Sequence, residues 1–168
     1  MDFRDISLYK TVMIDTRFTT ALQIVVNVAV DGQRGVRSTS LTLAERLNTN
    51  ASFIRKLLSP MTTNGLLNSA AGNGGGIKLA RQAADIRLSE IYRSINADSP
   101  LWNARDDVPG ICFVSNNIER LSNSLSKQAE QAVLETLENV TVADAIVELQ
   151  RLDEEREASI EPPRPKIA

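Results

Sequence analysis

The sequence predicts a mainly α-helical fold that contains one small β-hairpin. Four of the five residues in Gly72–Gly76 are glycine. Such a cluster is typical of a tight, exposed tip between two short strands, because glycine adopts positive φ without a steric penalty. Apolar residues recur at steps of three and four before and after this tip, which is the period of amphipathic helices. Short helices joined by a turn and followed by a glycine-tipped hairpin outline a winged helix-turn-helix domain, and a long helix lies beyond it.

The composition narrows the class of protein. With 168 residues, of which 42% are apolar and only 4% aromatic, the chain has the size of one small domain with an attached helical element and an aliphatic core. No apolar run approaches the roughly 20 residues of a membrane-spanning helix. Acidic residues stand near the start, where a signal peptide would be basic. We therefore expect a cytoplasmic protein without a membrane partner.

The inventory of reactive side chains is short. Cys112 is the single cysteine, which rules out an internal disulfide framework and fits a reducing compartment. Histidine, the commonest acid–base catalyst and metal ligand, is absent from the sequence. The glycine tip also does not fit a nucleotide site, because Gly76 is followed by Ile77 and Lys78 rather than by lysine and a hydroxyl or by a third spaced glycine. We expect neither an enzyme nor a metal site.

Charge is distributed unevenly along the chain. Residues 1–96 carry twelve basic and seven acidic side chains, which is a net charge of +5. Residues 97–168 carry seven basic and fourteen acidic side chains, which is a net charge of −7. A basic first half joined to an acidic second half favours a protein in which one half faces a polyanion.

Changes of pattern divide the chain into segments. Met13 is a second plausible start, and a clear helical period begins only at Thr16. A loop with prolines and acids interrupts the helices, and the chain ends in charged residues and prolines. The predicted segments are an N-terminal extension (1–15), a winged helix-turn-helix domain (16–96), a loop with a candidate sensor cysteine (97–113), dimerisation helices (114–152) and a disordered tail (153–168).

Capping residues predict where the helices of the winged domain begin. Thr16 is expected to cap the first helix. The second helix is expected to start at Ser40 or Thr42, and Thr42 and Glu45 have the spacing of a capping box. Asn50 is expected to cap the third helix, and Ser59–Pro60 resembles the start of a further short helix.

The later elements are predicted in the same way. Short strands over 66–70 and 77–80 are expected to flank the glycine tip. The expected starts of the three later helices are Asp85, about Val114, and Thr141, which has capping-box spacing to Asp144.

The third helix carries candidate DNA-reading residues. The second helix of a helix-turn-helix places its N-terminal residues against base edges in the major groove. Asn50, Ser52 and Arg55 offer an amide, a hydroxyl and a guanidinium for such contacts. Ordinary solvent-facing residues of a surface helix would show the same pattern, so that alternative stays open. Candidate phosphate contacts are Arg17, Arg37 and Lys78. The predicted DNA-binding residues are Arg17, Thr39, Asn50, Ser52, Phe53, Arg55, Lys56, Asn73, Gly74, Gly75 and Lys78.

The long helix over residues 114–138 has an apolar stripe that a small winged domain with its own core would not cover. A second copy of the same helix is the natural partner, and a palindromic DNA site requires a two-fold dimer. Folding of the helix back onto its own domain is the alternative. The predicted dimer-interface residues are Ile118, Leu121, Leu125, Ala129 and Val133.

Cys112 stands just before this long helix. A thiolate near a helix N-terminus is favoured by the helix dipole, which lowers its pKa and raises its reactivity. One interpretation is therefore a regulatory thiol that senses oxidants or electrophiles. The other is an inert, buried cysteine.

Six short blocks follow one another in the order and spacing of a known family. They are Asp15–Leu22, Leu43–Leu47, Ile54–Leu58, Asn64–Leu67, Gly74–Arg81 and Ile86–Ile91. Together they resemble the Rrf-two (Rrf2) family of bacterial winged-helix transcriptional regulators. The resemblance covers about residues 16–96 and continues more weakly into the helices that follow. It rests on the ordered set of blocks and not on any one of them.

The resemblance implies a homodimeric transcriptional regulator, usually a repressor. In such a protein the helix over 50–58 reads DNA and the wing at Gly72–Gly76 reaches the minor groove. Many members hold an iron–sulfur cluster on three cysteines, whereas this chain has only Cys112 and no histidine, so a three-cysteine cluster in each protomer is excluded. The chain is thus closer to the clusterless branch, and no cofactor is expected. A basic residue commonly precedes the first wing glycine, but here Ala71 occupies that place.

Two functions follow as hypotheses. The first is a homodimeric repressor that binds a palindromic operator in double-stranded DNA and is controlled by thiol modification or by a small effector. The second is a protein-interaction module that retains the winged fold but has lost DNA binding. Ala71 and the acidic second half favour the second hypothesis, whereas the basic first half and the ordered motifs favour the first.

Overall fold

The computed structural model describes residues 15–70, 72, 75–96, 100–105 and 109–159. Over these residues the chain forms helices α1 (Arg17–Gln33), α2 (Ser40–Arg46), α3 (Ala51–Thr63), α4 (Leu88–Asn96), α5 (Ile118–Glu138) and α6 (Val142–Ala158), strands β1 (Leu67–Ala70) and β2 (Gly76–Leu79), and a 3₁₀ turn (Ala83–Asp85). The predicted fold class, mainly α with a small hairpin, is confirmed.

The two strands form an antiparallel hairpin in which Leu67 lies opposite Leu79 and Ala70 lies opposite Gly76. The segment before α2 adds one more strand contact, because the amide of Ile77 donates to the carbonyl of Ser38 at 2.9 Å. The wing is therefore bonded to the α1–α2 connection as well as to itself.

An aliphatic core lies between α1, α3, α4 and the hairpin. Apolar residues at helical spacing bury one face of α1. The start of α6 also contributes buried residues to the core. Phe18 and Tyr92 add an edge-to-face ring contact with centroids 5.6 Å apart. Fully buried core residues include Ile24, Val25, Leu43, Ile54, Met61, Leu66, Leu67, Ile86, Ile91 and Val142.

The first two helix caps differ from the prediction. Thr16 occupies the N-cap position of α1 without a capping side-chain hydrogen bond, and the carboxylate of Asp15 accepts from the amide of Arg17 at 2.9 Å instead. The capping box of α2 joins Thr39 to Thr42, so the expected Thr42–Glu45 box was wrong. The box begins at Thr39 because its backbone is extended and its hydroxyl accepts from the amide of Thr42 at 3.1 Å.

Helix α3 continues through the segment that was expected to begin a new helix. Pro60 lies inside it, and the carbonyl of Pro60 still accepts from the amide of Asn64 at 3.0 Å. The buried face continues across the proline through Leu57 and Met61, which keeps the segment helical although proline cannot donate to the helix ladder. The predicted break at Ser59–Pro60 was wrong.

Helix α4, which follows the wing, also begins later than predicted. Asp85 closes the 3₁₀ turn and does not cap α4. Instead, Glu90 in the first turn of α4 accepts from the amide of Arg87 at 2.9 Å. An antiparallel bridge between Arg87 and Thr141 then attaches the start of α6 to the start of α4. The capping box predicted at Thr141 and Asp144 is present.

The boundaries of the last two helices also differ from the prediction. Helix α5 begins at Ile118 and not near Val114, because residues 113–117 form turns in which Asn117 donates to the carbonyl of Phe113 at 2.7 Å. Helix α6 runs to Ala158, so residues 153–158 are helical and do not belong to a tail. Pairs between Arg151 and the glutamates one turn away support this exposed end. Among the described helices, none is long and apolar enough to cross a membrane.

Candidate nucleic-acid interface

The exposed face of α3 carries the predicted base-reading side chains. Ser52, Arg55 and Lys56 are exposed, while Ile54 and Leu57 on the opposite face are buried. Arg55 Nη2 donates to Ser52 Oγ at 3.2 Å, so these two polar groups lie side by side near the helix start. One face of α3 therefore packs in the apolar core, and the opposite face presents cationic and hydrogen-bonding side chains to solvent.

Asn50 and Phe53 have structural roles at the start of α3. Asn50 Oδ1 accepts from the amide of Phe53 at 2.7 Å, which confirms the predicted cap. That cap uses the oxygen that a bidentate contact with adenine would need. Phe53 is half-buried and packs against the core. Thr39 is likewise half-buried as the N-cap of α2.

The wing presents one charged side chain among its described residues. Lys78 is exposed on β2, opposite Asn68. The amide of Gly75 donates to the carbonyl of Gly72 at 3.1 Å and closes the described part of the tip. The other two wing residues expected to contact DNA, Asn73 and Gly74, lie outside the described residues.

Among the described residues, the side-chain partners of Arg17 lie in neither α3 nor the wing. Its guanidinium pairs with Asp15 at 2.6 Å and donates to Asn96 Oδ1 at 3.3 Å. The hydrogen bond to Asp15 raises the pKa of Arg17, and the same contact lowers the pKa of Asp15 despite some burial. Arg17 thus joins the start of α1 to the end of α4.

A buried polar cluster, which sequence reasoning missed, fixes the connection between α1 and α2. Asp31 is only 5% exposed and accepts from Ser38 Oγ at 2.6 Å. Both of its carboxylate oxygens also lie 2.8 Å from Arg46 Nη1. Burial opposes ionisation of Asp31, but the bonds from Ser38 and Arg46 outweigh it, and the pKa of Asp31 falls below its ordinary value.

A sequence signal for this cluster was present. Asp31 follows Ile24 and Val28 at helical spacing, so it lies on the apolar face of α1, where a carboxylate needs partners. The partners themselves could not be read from the sequence, because Ser38 and Arg46 lie in different elements.

The predicted dimer face of α5 is divided between solvent and the chain itself. Ile118, Leu121 and Leu125 are exposed, whereas Ala129 and Val133 are half-buried. In the second half of α5, Leu137 packs against the core and Glu138 contacts Ser89 and Arg93 of α4, so the alternative of folding back applies to that half. In the first half, the apolar side chains of Ile118, Leu121 and Leu125 remain exposed within the described part of the chain.

Cys112 is exposed, so the expectation of a buried thiol was wrong. The backbone of Ser115, its hydroxyl and the backbone of Val114 lower the pKa of the Cys112 thiol by hydrogen bonding. Helix α5 begins only at Ile118, so this effect comes from the local turn and not from the end of the helix.

The residues present do not fit an iron–sulfur cluster on three cysteines. Such a cluster needs several thiolates, and this chain supplies one, Cys112. Within the described ranges, no group of three or more cysteine or acidic side chains is arranged to hold a metal ion.

Comparison with known proteins identifies the family. The family model Rrf2, described as an iron-dependent transcriptional regulator, matches residues 14–148. The chain is 25% identical over 134 residues to the candidate HTH-type transcriptional regulator YwnA of Bacillus subtilis (strain 168), which covers 80% of this chain and 97% of YwnA. It is 26% identical over 113 residues to the candidate HTH-type regulator YffB of Lactococcus lactis subsp. lactis (strain IL1403), covering 66% and 72% of the two chains.

Solved structures share the fold. A candidate transcriptional regulator from Lactobacillus plantarum superposes with a TM-score of 0.63 at 23% identity, over 86% of this chain and 99% of its own. CymR, the global cysteine regulator of B. subtilis, gives a TM-score of 0.57 at 21% identity, over 82% and 98%. IscR of T. potens gives 0.56 at 21% identity, over 89% and 93%. The family match and the shared fold confirm the resemblance seen in the motifs, and the chain belongs to the Rrf2 family of DNA-binding, winged-helix transcriptional regulators.

Proposed function

We propose that this protein is a homodimeric repressor that binds a palindromic operator through α3 and the wing. The observation that carries the proposal is the exposed group of Ser52, Arg55 and Lys56 at the start of α3, which stands on a buried apolar face. Ser52 and Arg55 are the proposed base contacts, and Lys56 and Lys78 are proposed phosphate contacts. Asn50 contributes its amide nitrogen, since its oxygen caps α3.

The apolar face of α5 supports the dimer. Ile118, Leu121 and Leu125 follow one another at steps of three and four, and all three side chains are exposed. A second copy of the same face would cover them. A two-fold axis between two winged domains would present two α3 helices to successive major grooves, which is the geometry that a palindromic site requires.

The salt dependence of DNA binding tests the proposal. A labelled duplex from the region upstream of the protein's own gene would be titrated at several salt concentrations. A dimer that neutralises six or more phosphates is expected to lose about 1,000-fold in affinity between roughly 50 and 200 mM salt. A flat response, or no binding to this duplex, would contradict the proposal.

Paired substitutions separate DNA binding from protein interaction. The double variant Arg55→Ala and Lys56→Ala is expected to weaken binding about 10- to 100-fold while the protein stays folded and dimeric. Arg120→Ala with Lys127→Ala removes the same charge from exposed positions on α5 and serves as the control. If both pairs leave binding equally intact, the alternative of a winged protein-interaction module is favoured.

Cys112 is the proposed point of control. Its thiol is exposed and its pKa is lowered by the turn amides, so the reactive thiolate is accessible. Peroxide would be attacked by the thiolate, with cleavage of the O–O bond, release of hydroxide and formation of a sulfenic acid on sulfur. Wild-type DNA affinity should then change on treatment with peroxide, whereas that of Cys112→Ser should not. If peroxide changes the DNA affinity of the two proteins equally, Cys112 is not the regulatory thiol.

A further inference from the structure

Arg37, in the α1–α2 connection, lies against the wing. Its Nη2 donates to the carbonyl of Gly72 at 3.0 Å, which brings the guanidinium to the glycine-rich tip. Its Cγ lies 3.1 Å and its Nε 3.4 Å from the point that a Cβ on Gly76 would occupy. The side chain therefore follows the wing closely, and the absence of a side chain at residue 76 makes this approach possible.

The backbone on either side of Arg37 is fixed. Ser38 is 2% exposed, its carbonyl accepts from the amide of Ile77, and its hydroxyl donates to the buried carboxylate of Asp31. The amide of Val36 donates to the carbonyl of Asp31 at 2.8 Å. Residue 37 thus stands between two anchored neighbours, and the position of its side chain relative to the wing is set by the core.

The charge of Arg37 is not neutralised. Within the described part of the chain, its hydrogen bond goes to a backbone carbonyl, and it forms no ion pair. Two other arginines of the winged domain differ, because Arg46 pairs with Asp31 and Arg81 pairs with Glu90. A guanidinium has five N–H donors, and one of them is used here, so most of its hydrogen-bonding capacity and its full charge remain available at the exposed tip.

The wing itself is poor in cations. Over residues 67–70, 72 and 75–79, Lys78 is the one charged side chain. Ala71 and Asn73, which flank Gly72 in the sequence, are also uncharged. Arg37 therefore supplies the positive charge that the tip lacks, from a position more than thirty residues earlier in the chain.

We propose that Arg37 is the DNA-contacting cation of the wing tip, supplied by the α1–α2 connection instead of by the wing. This inference rests on the proposed DNA-binding function and adds a contact to it. The guanidinium would meet the duplex backbone where the tip approaches the minor groove, a place where arginine is favoured by the negative potential. One such contact arises from each protomer of a dimer.

The test compares three single variants with wild type on the same duplex across a salt series. Arg37→Gln is expected to weaken binding about tenfold and to reduce the magnitude of the salt slope by about two, because each of two wings loses one phosphate-neutralising charge. Arg37→Lys keeps the charge and is expected to keep the wild-type slope. Arg34→Gln is the matched control, since Arg34 is an exposed arginine in the same connection. It is expected to stay within about twofold of wild type.

Three outcomes overturn the inference in different ways. If Arg37 only tethers the wing through Gly72, Arg37→Gln will lower affinity without changing the slope. If it has no role, Arg37→Gln will match Arg34→Gln while the double variant Arg55→Ala with Lys56→Ala still weakens binding, and the proposed function stands without this contact. If wild type does not bind the duplex at all, the proposed function fails and the inference fails with it. Amide NMR shifts of β2 check that the wing is intact in each variant.

Discussion

Asp31 on α1 and Arg46 on α2 form an ion pair in which both carboxylate oxygens lie 2.8 Å from one guanidinium nitrogen. Asp31 is buried and also accepts from Ser38, whose carbonyl holds the wing through Ile77. A single carboxylate therefore connects the first helix, the helix-turn-helix and the hairpin. The cluster thereby links the wing to α1 and α2 through the α1–α2 connection.

Asp31→Asn should lower the free energy of unfolding by about 1–2 kcal/mol at neutral pH, because the amide keeps an acceptor for Ser38 but loses the charge that pairs with Arg46. Urea unfolding followed by circular dichroism measures this difference. Asp31→Ala should cost more, since the buried hydroxyl of Ser38 then has no acceptor. A cost for Asp31→Ala no larger than that for Asp31→Asn would show that the hydroxyl finds another partner.

The ion pair between Asp31 and Arg46 also predicts how the free energy of unfolding depends on pH. The folded-state pKa of Asp31 lies below its ordinary value of 3.8, so its contribution to stability is present above that value and is lost as pH falls through the folded-state pKa. The stability difference between wild type and Asp31→Asn should be constant above about pH 5 and should shrink below about pH 4. A difference that grows on acidification would contradict the lowered pKa.

Two glycines in contrasting surroundings, Gly76 in β2 and Gly32 in α1, give the second prediction. A Cβ on Gly76 would lie 3.0 Å from the carbonyl oxygen of Ser38, and its φ of +152° is strained for any other residue. Gly76→Ala should therefore destabilise the protein by about 2–3 kcal/mol. Gly32→Ala, in α1 with open space around it, should stabilise by up to about 1 kcal/mol. Thermal unfolding of both variants tests the pair, and a Gly76→Ala protein as stable as wild type would contradict the close approach.

Much of the architecture could be predicted from local signals, and the errors have identifiable causes. The glycine tip and the caps at Asn50 and Thr141 depend on neighbouring residues only, so the sequence contains all the information they need. The capping box of α2 was misplaced, although Ser40 was one of the two expected starts, because several hydroxyl residues in a row can each act as a cap and backbone conformation decides among them. Arg37 could be proposed as a phosphate contact, but its contact with Gly72 is set by tertiary structure.

The uninterrupted path of α3 through Pro60 gives the third prediction. Proline has no amide hydrogen, so the carbonyl of Lys56 receives no bond from residue 60. Pro60→Ala restores that donor and should raise the free energy of unfolding by about 1–2 kcal/mol, after allowance for the more flexible unfolded chain. Chemical denaturation measures the gain.

Ser59→Ala is the control that distinguishes a continuous α3 from two separate helices divided at Ser59. If Ser59 capped a separate short helix, its loss would cost about 1 kcal/mol. In a continuous helix an exposed Ser59→Ala change should be neutral or slightly stabilising, since alanine is the better helix former. A clear destabilisation by Ser59→Ala would therefore contradict the continuous α3.

The fourth prediction concerns the apolar face of α5. Leu121 is 56% exposed and Leu125 is 48% exposed, one helical turn apart on a helix whose second half already contacts α4 through Glu138. In the proposed dimer both side chains lie in the interface, and a carboxylate at either position would have to lose its water without a partner. Leu121→Asp with Leu125→Asp should convert the protein to monomers at micromolar concentration, as measured by sedimentation velocity.

The control for this prediction is Val147→Asp on α6. Val147 is 65% exposed, so it is as accessible as the two leucines, but it lies on a different helix. The control variant should remain dimeric. The monomeric variant should keep its winged domain, because Leu121 and Leu125 do not belong to the core cluster, and should bind DNA far more weakly, since one α3 reaches only half of a palindrome. If Leu121→Asp with Leu125→Asp sediments as a dimer, the first half of α5 is not the dimer interface and the exposed leucines need another explanation.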